Sequence, residues 1–249
     1  VAGAGGGSGG LGGDVGGAGG CDAACVAAGG TCVDGWCVLD CQGAGGQACD
    51  LVCPAAMPCR MLCTSDDSCT GLSCPPDMPC DISCQGQGSC PSPVSCDEAD
   101  VCTITCDDGA CMNVECSTSV NTCTIDCEGG SCSVVTCEAG ECTIRCGQGS
   151  CGAAVYCHAY NTCDVQCDDA CAQTVEATGD AENWITCNAQ IDTACPTVLC
   201  AGGACGVSCT GDACHDINCA GACSCSTSCL DPPGTGGAVQ PASARGFAV

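Results

Sequence analysis

The residues best equipped for chemistry in this chain are its forty cysteines, spread through 249 residues. Thiols at such density serve as ligands for a soft metal, as redox pairs, or as structural disulfides. Spacing separates these uses. Zinc knuckles and thioredoxin-like sites require Cys-x2-Cys, and haem attachment requires the same spacing followed by His. Neither occurs, and Cys223/Cys225 is the only Cys-x-Cys pair of the kind a thiolate metal store would cluster. The even count, as full pairing requires, makes structural disulfides the expected chemistry. Disulfides at this density persist in oxidising compartments, so the expected location is extracellular or at the cell surface.

Other chemically capable groups are sparse. His158 and His215 are the only histidines; each adjoins a cysteine, and no nucleophile or base accompanies either. No catalytic residue and no cofactor is therefore expected, and the protein is read as a non-enzyme. The pairs Asp66-Asp67, Asp107-Asp108 and Asp168-Asp169 recur at one place in a repeat, with Glu128 or Gly147 standing there in other copies. Calcium takes roughly six to eight oxygen ligands, and no complete set can be read off. These acids are expected to be solvated turn residues, with calcium as the binding alternative they leave open. Trp184, beside Asn183, is a candidate contact residue for a surface ligand.

Composition narrows the field further. Against 29 acidic residues stand three arginines (Arg60, Arg145, Arg245) and no lysine, for a net charge of −26. That balance argues against nucleic acid and anionic membranes as partners. No apolar run approaches the ~18 residues needed to span a bilayer. One Phe, two Trp and two Tyr are too few for an ordinary aromatic-rich core. The chain opens at Val1, and is expected to be a mature or trimmed form that has lost an export signal.

The elements that must position the cysteines form a repeat of about 21 residues. A Cys-x-φ-x-Cys motif, φ being apolar, recurs as CRMLC (59–63), CDISC (80–84), CTITC (102–106), CTIDC (123–127), CTIRC (142–146), CDVQC (163–167) and CGVSC (205–209). The altered copy NWITC (183–187) keeps register, and CVLDC (37–41) and CSTSC (225–229) extend the series to ten. Between the copies lies a second arm, for example CMNVEC (111–116) and CSVVTC (132–137), again with an apolar residue two before the closing cysteine. Period-two alternation with β-branched residues predicts a strand in each arm, and the Gly/Asp segments between them predict turns. The fold class expected is all-β: a narrow two-sided β-solenoid of about ten coils, stapled by disulfides. The repeat domain spans 21–229. A glycine-rich arm (1–20, with twelve glycines) precedes it, and a Pro/Gly/Ala tail (230–249) follows.

Alternation also predicts connectivity. Both cysteines and the apolar residue of an arm point inward, so cysteines flanking one turn can meet. Ala177 and Asn183 replace two cysteines that flank a single turn. If those positions are partners elsewhere, one set of turns is closed by 53–59, 74–80, 96–102, 116–123, 137–142, 157–163 and 200–205. The other set is closed by 41–49, 63–69, 84–90, 106–111, 127–132, 146–151, 167–171, 187–195 and 209–214. The bonded residues are then Cys41, Cys49, Cys53, Cys59, Cys63, Cys69, Cys74, Cys80, Cys84, Cys90, Cys96, Cys102, Cys106, Cys111, Cys116 and Cys123. They continue with Cys127, Cys132, Cys137, Cys142, Cys146, Cys151, Cys157, Cys163, Cys167, Cys171, Cys187, Cys195, Cys200, Cys205, Cys209 and Cys214. Cys21, Cys25, Cys32, Cys37, Cys219, Cys223, Cys225 and Cys229 fall four at each end and are left for end caps. The rival is a vertical ladder joining equivalent cysteines of stacked coils, since the ~4.8 Å strand spacing also permits a bond.

This architecture, over roughly 37–229, resembles the beetle antifreeze proteins, short-coil β-helices with disulfides across the interior. That family carries an unbroken Thr-x-Thr array on a flat face. Here the outward first-arm positions read Asp81/Ser83, Thr103/Thr105, Thr124/Asp126, Thr143/Arg145, Asp164/Gln166 and Trp184/Thr186, with one Thr pair only. Ice binding is accordingly the weakest of the readings. The glycine-rich head ahead of cysteine-rich repeats also resembles secreted or lipid-anchored surface proteins of bacteria. The expected function is a structural rod displayed at a surface or self-assembling into a fibre. The competing class is an acidic module that binds calcium or a surface ligand.

Overall fold

In a Cys-x-φ-x-Cys segment, every second side chain must leave water, and a single strand cannot shelter them. Stacked parallel copies can, because each inward residue then sits over its equivalent one coil away. The structure, a computed structural model, adopts that solution. It describes residues 21–41, 48–90, 93–168, 173–188, 195–211 and 213–230. The expected arm (1–20) and nearly all of the expected tail lie outside the described residues, as does Arg245.

The first arms form one face. Trp36–Cys41, Cys59–Cys63, Cys80–Gln85, Val101–Asp107, Thr122–Cys127, Glu141–Cys146 and Thr162–Asp168 pair in parallel, each with the next. The face continues in the later halves of two long strands, Thr174–Asn188 and Cys195–Thr210, and ends in Ala222–Leu230. Register holds at each step, as in Cys102↔Cys123↔Cys142 and Ile104↔Ile125↔Ile144. The second arms make the opposite face through Val94–Cys96, Asn113–Cys116, Val134–Cys137, Ala154–Cys157, the earlier halves of the long strands, and Cys214–Asn218. Cys49–Val52 and Cys69–Ser73 pair separately at the N-terminal end of that face. The protein is a disulfide-rich β-solenoid of about eight turns. The final first arm, Ala222–Leu230, has no described second arm after it.

The core is one residue wide on each face. Leu39, Met61, Ile82, Ile104, Ile125, Ile144, Val165, Ile185 and Val207 form the first-arm column, and Val94, Val114, Val135, Val155, Val175 and Val198 the other; all are buried. Thr227 takes the inward position of the last coil and is exposed, as suits the end of a stack. Two further buried columns lie at the corners: Ser68, Ser89, Ala110, Ser131, Ser150 and Ala213 at one turn, and Ala99, Val120, Ala139 and Ala159 at the other. Only small side chains fit there, because the two sheets converge on the cystine. Ser131 is satisfied inside by donating from Oγ to the Cys106 carbonyl at 2.7 Å.

The N-terminal end departs from a purely β expectation. Cys21–Ala27 is a helix, in an alanine-rich stretch free of glycine, and it stops at Gly29, whose φ is 81°. Thr31–Val33 then pairs antiparallel with Trp36–Cys41 across Asp34-Gly35, with φ of 51° and 83°. Asp-Gly between two short strands is a type I′ hairpin signal. Helix and hairpin together cover the first coil.

Inward and outward positions of one strand should respond differently to truncation. Ile125→Ala should destabilise the oxidised protein by about 2–5 kcal/mol, whereas Thr124→Ala beside it should fall within about 0.5 kcal/mol. Denaturant melts without reductant measure both, and equal costs would refute the inward register.

Candidate functional site

The densest chemistry in the molecule is its two columns of cystines, one along each edge of the stack. Fifteen described bonds close turns, with Cα–Cα separations of 5.8–6.5 Å. At one edge these are Cys53–Cys59, Cys74–Cys80, Cys96–Cys102, Cys116–Cys123, Cys137–Cys142, Cys157–Cys163 and Cys200–Cys205. At the other they are Cys41–Cys49, Cys63–Cys69, Cys84–Cys90, Cys106–Cys111, Cys127–Cys132, Cys146–Cys151, Cys187–Cys195 and Cys209–Cys214. The bond expected between Cys167 and Cys171 involves a residue outside the described ones. Equivalent cysteines of neighbouring coils lie side by side without bonding; Cys74 Sγ and Cys96 Sγ, for instance, approach to 3.6 Å.

Several sulfur triplets, such as Cys84/Cys106/Cys111 and Cys102/Cys116/Cys123, lie within 4.8 Å of one another. They are successive rungs of the columns. A sulfur held in a cystine has no thiolate to offer a metal. Among the described residues, no carboxylate or histidine belongs to such a cluster.

Of the end cysteines, Cys25 bonds Cys37, tying the cap helix to the first first-arm strand. Cys219 bonds Cys225 one coil on from Cys200–Cys205 and adds a sixteenth turn-closing bond. Cys32 is also disulfide-bonded. Cys223 is exposed and unpaired, contrary to the expectation that every cysteine is bonded. It precedes Cys225 by two residues on the exposed last described strand, where no further described coil supplies a partner.

The coil without its staple shows what replaces one. Asn183 sits between Cys163 and Cys205 in the column, fully buried, and Ala177 lies beside Cys157 and Cys200. The Asn183 carboxamide nitrogen donates to the Gly179 carbonyl at 3.3 Å and to the Ala201 carbonyl at 3.2 Å. Hydrogen bonds thus bridge the turn and the next coil where a covalent bond is missing. Gly179 makes room, since a Cβ there would lie 2.6 Å from Asn183 Oδ1. The same oxygen is buried without a partner.

Other sequence-predicted candidates are dispersed. His158 sits 3.6 Å from a Glu176 carboxylate oxygen and edge-on to Tyr156, while His215 is exposed on Cys214–Asn218. Asp66, Asp67 and Asp108 occupy turns, Asp67 and Asp108 at positive φ. Asp168 accepts from Gln166 and from Asn188, whose Oδ1 in turn accepts from Thr210, so amides and a hydroxyl continue that column rather than further carboxylates. Asp107 titrates above the usual range, chiefly because partial burial disfavours its charge and secondarily through Asp108 and Asp126.

The outward first-arm face holds two features built by neighbouring coils. Arg60 donates to Asp81 at 2.7 Å and lies 5.6 Å over the Trp36 ring. Further along, Trp184 is 49% exposed and its ring projects over Gly206. A Cβ on Gly206 would meet the ring at 2.3 Å, so the two positions are sterically coupled. The indole nitrogen donates to Glu182 at 3.4 Å. Trp184 was legible in the sequence; Gly206, one coil and 22 residues later, becomes visible as its partner only through the register.

No protein-family model matches this chain, and neither does any curated protein or solved structure.

Restoring the missing staple tests the role of Asn183. The double variant Ala177→Cys/Asn183→Cys should form a disulfide found by non-reducing peptide mapping, and should stabilise the fold by about 2 kcal/mol. Asn183→Ala alone should cost about 1–3 kcal/mol, since the buried Gly179 carbonyl and the half-buried Ala201 carbonyl lose a donor.

Asp107 generates a pH dependence of defined sign. Its folded pKa lies above the ordinary value of 3.8, so the native state binds more protons than the unfolded chain through that window. Its contribution therefore falls as pH rises from below 3.8 through the raised value. Asp107→Asn should raise the neutral-pH melting temperature and flatten the profile over that interval. A variant less stable than wild type at pH 7 would contradict this.

Proposed function

We propose that this protein is a non-enzymatic extracellular structural element, a rigid rod presented at a cell surface. The observation that carries this reading is the cystine at almost every described turn, in a molecule whose core is only one aliphatic residue wide per face. Each turn-closing loop is worth about 2 kcal/mol through the unfolded chain, comparable with burying one valine or isoleucine at about 1.5–3 kcal/mol. Such a fold depends on oxidation and suits an oxidising compartment. Among the described residues, no helix is long and apolar enough to cross a membrane.

Two of the forms such a rod could take are favoured unequally. A fibre would need both ends of the stack open, and the helix and hairpin of residues 21–36 cover the N-terminal one. This favours discrete rods over head-to-tail filaments. The histidines are dispersed, His158 beside the Glu176 carboxylate and His215 on an exposed part of another coil, and this scatter supports a role without catalysis. The turn acids support solubility, and the single outward Thr pair gives ice binding no flat array to rest on.

Electron microscopy of the purified oxidised protein should show isolated rods of roughly 40 Å, from the coil number and the ~4.8 Å strand spacing. The same protein should resist proteolysis until reduced and then be degraded rapidly. Filaments, or equal protease sensitivity with and without reductant, would overturn the reading.

A further inference from the structure

On the outward first-arm face the Trp184 groove sets an exposed aromatic ring beside short polar side chains of neighbouring coils. Its walls are the indole of Trp184, the bare backbone at Gly206, and the side chains of Thr186, Ser208, Ser226 and Ser228 from three consecutive coils. We propose that this groove binds a neutral sugar unit of a polysaccharide, stacked on the Trp184 ring and hydrogen-bonded by the serine and threonine hydroxyls.

Four observations carry the assignment. First, a half-exposed tryptophan in a chain with only five aromatic residues presents an apolar face that nothing in the fold uses. The C–H face of a pyranose is the flat, weakly polar partner that such a ring accepts while the sugar hydroxyls stay hydrated. Second, Gly206 lets the ring lie close over the sheet, and the depression alongside it measures about 140 Å³. That is below the ~300–1,000 Å³ of clefts that enclose drug-sized ligands, and fits one ring of a chain laid across the sheet. Third, the hydroxyls of Thr186, Ser208 and Ser228 form no hydrogen bond with other described residues, while Ser226 reaches only the Cys205 carbonyl at 3.5 Å. Fourth, no charged side chain lines the groove. The Glu182 carboxylate is engaged by the indole nitrogen, and the chain's net charge of −26 repels an anionic glycan. A neutral polyhydroxylated ligand is the class that this lining satisfies.

The spacing suits a polymer. Coils repeat at ~4.8 Å and outward positions along a strand at ~6.6 Å, so the hydroxyls form a grid on the scale of one sugar ring. Binding here goes beyond a rod's passive role, since it would fasten one end of the rod to a glycan surface.

The test uses the full oxidised chain, titrated by calorimetry and tryptophan fluorescence with neutral oligosaccharides of glucose, xylose, mannose and N-acetylglucosamine. At least one series should bind, with affinity rising with chain length. Trp184→Ala should weaken it by at least about tenfold and Trp184→Phe by less. Ser226→Ala and Ser228→Ala should each cost about two- to tenfold. Thr103→Ala, on the same face outside the groove, should leave affinity unchanged. Retained resistance to proteolysis verifies that each variant is folded. Absence of binding by every series at ~10 mM, or equal affinity for wild type and Trp184→Ala, would overturn the proposal. So would a cationic probe, choline, binding the groove in preference to the sugars. A change in sedimentation caused by Trp184→Ala would place a second copy of the chain there instead, and would overturn it too. The rod reading survives all of these outcomes.

Discussion

Each coil of this molecule must lie on the next in register, residue over equivalent residue, because parallel strands hydrogen-bond continuously along the stack and a slip of one position would turn every inward side chain outward. The remaining architecture follows from that requirement. Cysteine stacks on cysteine, isoleucine on isoleucine, and a small turn residue on a small turn residue. The two sheets are so close that one aliphatic side chain from each fills the space between them, and the edges hold mostly cystines and small side chains such as serine and alanine. Little apolar surface is available to offset chain entropy, so restricting the unfolded chain with short covalent loops becomes the effective source of stability.

The one incomplete coil among those described clarifies the role of the staples. Where Ala177 and Asn183 interrupt the column, the backbone does not break; Thr174–Asn188 runs as one strand through the turn. The neighbouring strand, Cys195–Thr210, does the same, and the pairing between the two shifts register between Gly179 and Glu182 of the first. The carboxamide of Asn183 holds two carbonyls, one from its own coil and one from the next. A cystine constrains its own turn, whereas this arrangement also ties adjacent coils. Close backbone approach makes it feasible, for Gly202 lies so near Gly179 that a Cβ there would touch the Gly179 carbonyl oxygen.

Once the inward positions are committed to packing, the outward positions are free to vary, and they do. Along the first-arm face they include an arginine–tryptophan stack, threonines, acids, and the Trp184/Gly206 pair. Any selective recognition must be encoded there or in the turns, since the interior is closed. The turn acids spread along the edges and alternate with glycines in neighbouring coils, as Asp67 against Gly88 and Asp108 against Gly129. Stacking carboxylate on glycine keeps like charges apart in a strongly acidic protein.

Much of this was written in the chain itself. Period-two alternation in Cys-x-Ile-x-Cys determines which side chains share a face, and the paired loss at Ala177 and Asn183 identifies which cysteines flank one turn. Both signals are local, so composition and spacing suffice to read them. Other features depend on which residues meet across 20 or more positions. The corner columns of Ser68, Ser89, Ser131 and Ala110 look like ordinary turn residues until the sheets are brought together. The cap helix lies in a segment too short to announce itself, and is held by Cys25–Cys37 rather than by its own propensity. Gly206 is one of 38 glycines; only stacking brings it beneath the ring of Trp184, because register is a property of neighbouring coils and not of any one of them.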